Sequence, residues 1–177
     1  MHKRYWALAL LVSVFMMGCG KEPVVSTMTI HKDGVVESYI VEEFMAPQYD
    51  ANELKNSVFE EISTVNEAYE NPIIELKEFE VIEGVLKASI EYQDANAYED
   101  FNEETLYVGS WEEAITQGYP VSTELENDEY KVVVFSEPVD VIVPKNIVYV
   151  SDGLNKTGKK TVTVLDKEKE IYYIIYE

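Results

Sequence analysis

The sequence predicts an α+β fold: a mainly antiparallel sheet built from hairpins, with about three helices, following a cleaved N-terminal signal helix. Three observations predict it. Strand-like runs outnumber helical ones by about nine to three. Tight turns rather than crossover helices join the early runs, which favours antiparallel pairing. One segment alone, 50–69, carries a long three- and four-residue apolar repeat.

The first hairpin spans Ser26 to Phe44. Met28 and Ile30 alternate with polar residues, and Lys32-Asp33-Gly34 supplies a turn in which Gly34 takes positive φ. Ala46-Pro47 breaks the return strand. Asp50 to Tyr69 reads as the long helix, opened by an Asp50/Glu53 capping pair. Its apolar stripe is Leu54, Val58, Ile62, Val65 and Tyr69, and Asn71-Pro72 ends it. A second hairpin runs from Ile73 to Tyr92 and turns at Glu83-Gly84. Leu86, Ala88, Ile90 and Tyr92 share one face. A short helix over Asp94–Asn102 and a brief strand over Thr105–Val108 follow. Ser110 and Glu113 then cap another short helix, which Gly118 stops.

The remainder reads as strands: Tyr130–Phe135, Val139–Val143, Ile147–Val150, Thr161–Leu165 and Ile171–Tyr176. The last run is apolar on both faces, which predicts a central, buried strand. One acidic domain, 25–177, accounts for all of this, with a subdivision near residue 136 as the alternative.

The N-terminus carries the strongest functional signal. Lys3 and Arg4 form a basic head, Ala7 to Met17 an eleven-residue core that is apolar except at Ser13, and Gly18-Cys19-Gly20 follows. This is the three-part pattern of an export signal. Eleven helical residues rise roughly 16 Å, about half the ~30 Å of bilayer hydrocarbon, so the segment is too short to span comfortably. The position of the single cysteine resembles the lipobox of bacterial lipoproteins, in which a diacylglycerol joins the thiol and cleavage leaves the cysteine first. The three preceding residues are Met16, Met17 and Gly18; Gly18 fits the pattern and Met17 departs from it. The resemblance implies a signal peptide over 1–18, a lipidated Cys19 with a short tether over 19–24, and a place on the extracytoplasmic face of the cell membrane.

A second resemblance covers most of the chain. It rests on Cys19-Gly20-Lys21-Glu22 leading into Thr29-Ile30-His31-Lys32-Asp33-Gly34, on Phe101 to Gly109, and on Tyr149-Val150-Ser151-Asp152. These are similar to small uncharacterised bacterial lipoproteins of Gram-positive anaerobes. That group carries no assigned activity, so the likeness implies localisation alone.

Charge narrows the partners. From Cys19 onward 34 acids face 12 lysines, a net charge of about −22. Such a chain repels nucleic acid and anionic lipid. Arg4 is the only arginine, so the exported part has no guanidinium fork for phosphate or carboxylate. With its one cysteine consumed by lipid, the chain has none left for disulfides, zinc or nucleophilic chemistry.

Catalytic and cofactor motifs fail on inspection. Gly153 to Lys160 imitates a phosphate-binding loop, but Lys160 stands where Ser or Thr must hold magnesium, and a strand rather than a helix follows. Asp94 to Tyr98 opens like a calcium loop, but Glu99 occupies the glycine position and Thr105 that of the bidentate glutamate. His31 is the only histidine after Cys19, which leaves no second imidazole for zinc and reads as a solvent-facing strand residue. Among 34 acids no carboxylate stands out by an apolar setting; Glu78 and Glu80 read as a strand's outer face. No metal and no cofactor is expected.

Two features are candidates for contact. Trp111, beside twelve tyrosines in the exported part, either caps the core or stacks on a ligand. Pro144 to Thr161 holds Lys145, Lys156, Lys159 and Lys160 against Asp152, a local net charge of about +3. These lysines either protect strand edges or form a docking face for an anionic surface. The resulting expectation is a non-enzymatic binding or interaction module of the envelope, partnered by the membrane through its lipid and by an envelope polymer or protein. The alternatives are a carbohydrate- or peptide-binding lipoprotein beside a transporter, and a carboxylate-dependent wall hydrolase.

Overall fold

The computed structural model describes residues 25–44 and 50–177. The signal segment, Cys19, the tether and the Ala46-Pro47 break lie outside the described residues. Among the described residues are three α-helices, one 3-10 turn (Thr123–Leu125) and eleven strands in two sheets.

The first hairpin forms as the alternation requires. β1 (Thr27–Ile30) and β2 (Val36–Glu43) pair antiparallel around a turn closed by Gly34 at φ +95°. α1 (Ala51–Asn66) begins at Asp50, whose carboxylate accepts from the Asn52 and Glu53 amides at 2.7 and 3.1 Å. Only the Asp50 half of the capping pair acts. α1 ends before Asn71-Pro72 because Asn66 turns outward to the next strand. Its Oδ1 accepts from the amides of Ile73 (2.9 Å) and Ile74 (3.1 Å), and its Nδ2 donates to the Ile74 carbonyl (2.8 Å). Tyr69 therefore falls off the helical stripe and is 46% exposed.

β3 (Ile74–Ile82) and β4 (Val85–Tyr92) make the second hairpin. Its Glu83-Gly84 turn has positive φ at both residues, +51° and +77°, the backbone of a two-residue hairpin loop. α2 (Ala95–Asn102), β5 (Leu106–Ser110) and α3 (Trp111–Thr116) follow. At α3 the capping box is complete: the Glu113 amide donates to Ser110 Oγ at 3.2 Å, and the Ser110 amide to the Glu113 carboxylate, also at 3.2 Å. The chain then lays down β6 (Lys131–Phe135), β7 (Asp140–Ile142), β8 (Ile147–Val150), β9 (Leu154–Lys156), β10 (Thr161–Val164) and β11 (Tyr172–Tyr176).

The seven-stranded sheet has the order β3-β4-β2-β1-β7-β10-β9 and the four-stranded sheet the order β5-β6-β11-β8. All pairings are antiparallel except β1 with β7, which is parallel. Met28, Ile30, Ile90, Tyr92, Val141 and Val162 of the larger sheet meet Val133, Phe135, Tyr172 and Ile174 of the smaller in one shared core. β11 is central, as its two apolar faces predict. Tyr172 and Ile174 enter the shared core, while Ile175 joins a second cluster under α3 with Trp111, Ala114, Val121, Val132 and Val134. Residue 136 is where the chain crosses between sheets, and strands from both sides of it pair within each sheet. The Gly153–Lys160 segment, whose sequence imitates a phosphate-binding loop, contains the edge strand β9.

Candidate functional site

An acid held in a largely buried setting is Glu137, which the sequence reading passed over. It follows the buried run Val132–Phe135 in the crossover from β6 to β7. The Tyr98 hydroxyl of α2 donates to its carboxylate. Several contacts place Tyr98. Asp94 Oδ1 caps α2 by accepting from the Ala97 amide at 2.9 Å. The Tyr98 ring meets Tyr92 edge-on, centroids 5.1 Å apart at 70°. Asn102 Nδ2 donates to the Tyr98 carbonyl at 2.9 Å. Alongside, Ser136 Oγ accepts from the Thr105 amide (2.8 Å) and donates to Glu104 (2.6 Å).

This setting corrects the expectation that no carboxylate has an apolar environment. Burial pushes the Glu137 pKa above the usual carboxylate value; the Tyr98 hydroxyl opposes the shift and the charge of Glu104 adds to it. Glu42, near the end of β2, is also raised, first by burial and then by the charge of Glu137. The Tyr98 phenol is raised far beyond its ordinary range, by burial and by Glu137. The cluster therefore holds protons more tightly than exposed acids do. Tyr98 and Glu137 are bonded to each other and Glu104 to Ser136, and the direct work of these contacts is to tie α2 to the crossover. The sequence signal was present in Phe135-Ser136-Glu137-Pro138: an acid two positions after the apolar run Val132–Phe135, fixed by the following proline.

Trp111 is 8% exposed, and its indole N–H donates to the Ser122 carbonyl at 3.2 Å, so both ring and donor are engaged inside the second cluster. The more open aromatic surface lies on β8 and β11, where Tyr149 stacks on Tyr173 with centroids 5.7 Å apart. Glu78 and Glu80 pair with Ser89 and Lys87 on the outer face of the larger sheet. His31 is exposed and contacts Glu37 at 3.4 Å.

The phosphate-loop imitation has its amides committed: those of Thr157 and Gly158 donate to the Thr161 carbonyl at 3.1 and 3.2 Å. Asp94, first residue of the calcium-loop imitation, serves as the α2 cap. Among the described residues, no group of three or more His, Cys, Asp or Glu side chains is arranged to hold a metal ion. A shallow depression of about 410 Å³ lies between the ends of α1 and α2, lined by Tyr69, Asn71, Gln93, Asp94, Asn96 and Asp100.

The four lysines come together. The Val143 amide donates to the Lys160 carbonyl (2.9 Å) and the Ile147 amide to the Lys159 carbonyl (2.8 Å), so 143–147 and 156–161 lie side by side. Lys156 Nζ donates to the Ile147 carbonyl and Lys160 Nζ to the Pro144 carbonyl, each at 2.6 Å. All four are exposed, and none forms an ion pair among the described residues. Lys156 also sits on the edge strand β9, where a charge discourages pairing with another chain. No family model matches the chain, and no curated protein and no solved structure matches it either.

Proposed function

We propose that the protein is a lipid-anchored, extracytoplasmic interaction module of the cell envelope, non-enzymatic, and joined to the membrane through Cys19. The export-signal pattern ahead of Cys19 is the basis of the reading. The structural observation that supports it most is the placement of β1. This strand starts at Thr27, eight positions after Cys19, and is hydrogen-bonded on both sides, to β2 and to β7. Ser26 is held as well: the Val41 amide donates to its Oγ at 3.0 Å. At ~3.4 Å per extended residue, the seven residues 20–26 reach at most about 24 Å. A lipid on Cys19 would therefore hold a folded domain close to the bilayer, with one end of its larger sheet turned toward it. An acid that could have served catalysis, Glu137, is instead bonded to Tyr98 within the fold.

The test is Cys19→Ala in cells fed a clickable palmitate analogue. The wild-type chain takes up label and runs at the processed size; the variant takes up none and keeps the precursor size. A variant that is still labelled and processed contradicts the proposal.

A further inference from the structure

The strand registers give the larger sheet two chemically different ends. Thr27 is the partner of Asp140, and Thr29 of Ile142, so β1 and β7 run the same way from the end where Ser26 enters. β10 runs back, with Thr161 opposite Ile142. Lys159, Lys160 and Lys145 therefore lie beyond the far end of these strands. Lys156, the partner of Val162, stands level with Val141 and Met28 and reaches this end through its ammonium, which donates to the Ile147 carbonyl beside Lys159. The turn after Ile30 leaves β1 at the same end and carries Lys32, which is also exposed. The four residues of β1 set the two ends roughly 13 Å apart, at ~3.3 Å per residue. At the entry end stand Glu42 and Glu43, which close β2, Glu83 in the next hairpin turn, and Asp140. The acids near the lysine end are engaged: Asp33 Oδ1 accepts from the Val35 amide, Glu37 contacts His31 and Ser89, and Glu177 accepts from Asn146.

We propose that Lys32, Lys145, Lys156, Lys159 and Lys160 form a membrane-distal docking face for a linear, phosphate-bearing polymer of the cell envelope. The proposal rests on the lipid-anchored reading, because the anchor makes this end the distal one. Charge selects the occupant. A domain of net charge about −22 stays in solution unless a local positive field meets a denser negative one, and a repeating phosphate chain supplies such a field. Anchor geometry selects the polymer over lipid head groups: the acidic end faces the bilayer and the lysine end faces away. The backbone bonds of Lys156 and Lys160 fix where two ammonium groups stand without neutralising them. Lysine suits this work, since a compact ammonium contacts a phosphate as a point charge and needs no bidentate geometry.

The experiment uses the full-length protein purified in nonionic detergent. Retention is measured on beads carrying long-chain inorganic polyphosphate, and on vesicles of equal phosphatidylglycerol and phosphatidylcholine, at 50 and 500 mM salt. Five lysine–phosphate contacts on a flexible polyanion, each releasing ~0.7 counterion, predict about 10³–10⁴-fold weaker retention over that tenfold change in salt. Lys145→Glu with Lys159→Glu removes two ammonium groups that make no side-chain hydrogen bond among the described residues, and should cut retention at least tenfold while leaving the circular dichroism spectrum unchanged. Lys156→Glu with Lys160→Glu should do the same, with a lower Tm. Equal retention of wild type and the first variant, no retention at 50 mM salt, or stronger retention on vesicles than on polyphosphate would each overturn the proposal. Bead binding does not need the lipid, so a failure here is separate from a failure of Cys19 labelling.

Discussion

Tyr98→Phe tests whether the Tyr98–Glu137 contact holds α2 to the crossover. The change deletes one hydroxyl and keeps the ring, so the edge-on packing against Tyr92 at 5.1 Å is preserved and no cavity of consequence opens. What is lost is a donor to a half-buried carboxylate. Hydrogen bonds to charged groups contribute about 1.5–3 kcal/mol, and an acceptor left without its donor retains its desolvation cost. We expect a loss of about 2 kcal/mol at pH 8, or roughly 4–8 °C in Tm for a domain of this size. Without the hydroxyl, the Glu137 pKa moves further upward, because the hydrogen bond that holds it down is gone. As pH falls and Glu137 takes up a proton, its need for the donor weakens, so the loss should shrink by pH 5. Urea denaturation followed by circular dichroism at both pH values measures this, and a cycle with Glu137→Gln isolates the pair. A loss below about 0.5 kcal/mol at pH 8, or an equal loss at both pH values, would refute the reasoning, since surface changes alone produce effects of that size.

Two further outcomes follow from the same structure. Glu42 and Glu137 both have folded-state pKa values raised above the usual carboxylate value. Their contribution to stability is therefore complete below the unfolded carboxylate pKa and is lost as pH rises through the raised folded values. The wild-type chain should lose stability as pH rises from the ordinary carboxylate range through these raised values, and Glu137→Gln should flatten that profile in urea titrations. Trp111→Ala should cost about 3–5 kcal/mol, the range for truncating a buried aromatic, because it empties the centre of the cluster under α3 and frees the Ser122 carbonyl; a near-neutral result by the same titration would place Trp111 outside the core.

Much of the fold was legible because its signals are local. Gly34 and Glu83-Gly84 announce two turns, Ser110 and Glu113 sit at capping-box spacing, and the alternation Leu86, Ala88, Ile90, Tyr92 marks a buried face. The two apolar faces of Tyr172–Tyr176 correctly imply a strand with core on both sides. The parallel pairing of β1 with β7 was not legible: its partners stand more than a hundred residues apart, and nothing near either strand specifies the other. β9 was missed because Leu154-Asn155-Lys156 has no apolar alternation; its pairing with β10 makes it a strand. The buried setting of Glu137 depends on Tyr98, thirty-nine positions away, and only the fold brings the two together. The lysines of 144–161 could be counted in the sequence, but Lys32 joins them only through the register of β1, β7 and β10.

The central claim, that Cys19 is the lipid-bearing start of an extracytoplasmic domain, is tested most directly by the intact mass of the native chain extracted from membranes, with sequencing of its first peptide. The account predicts a chain lacking residues 1–18, beginning at Cys19, with a diacylglycerol on the thiol. A chain that still begins at Met1, or one cut elsewhere and carrying no lipid, would contradict it.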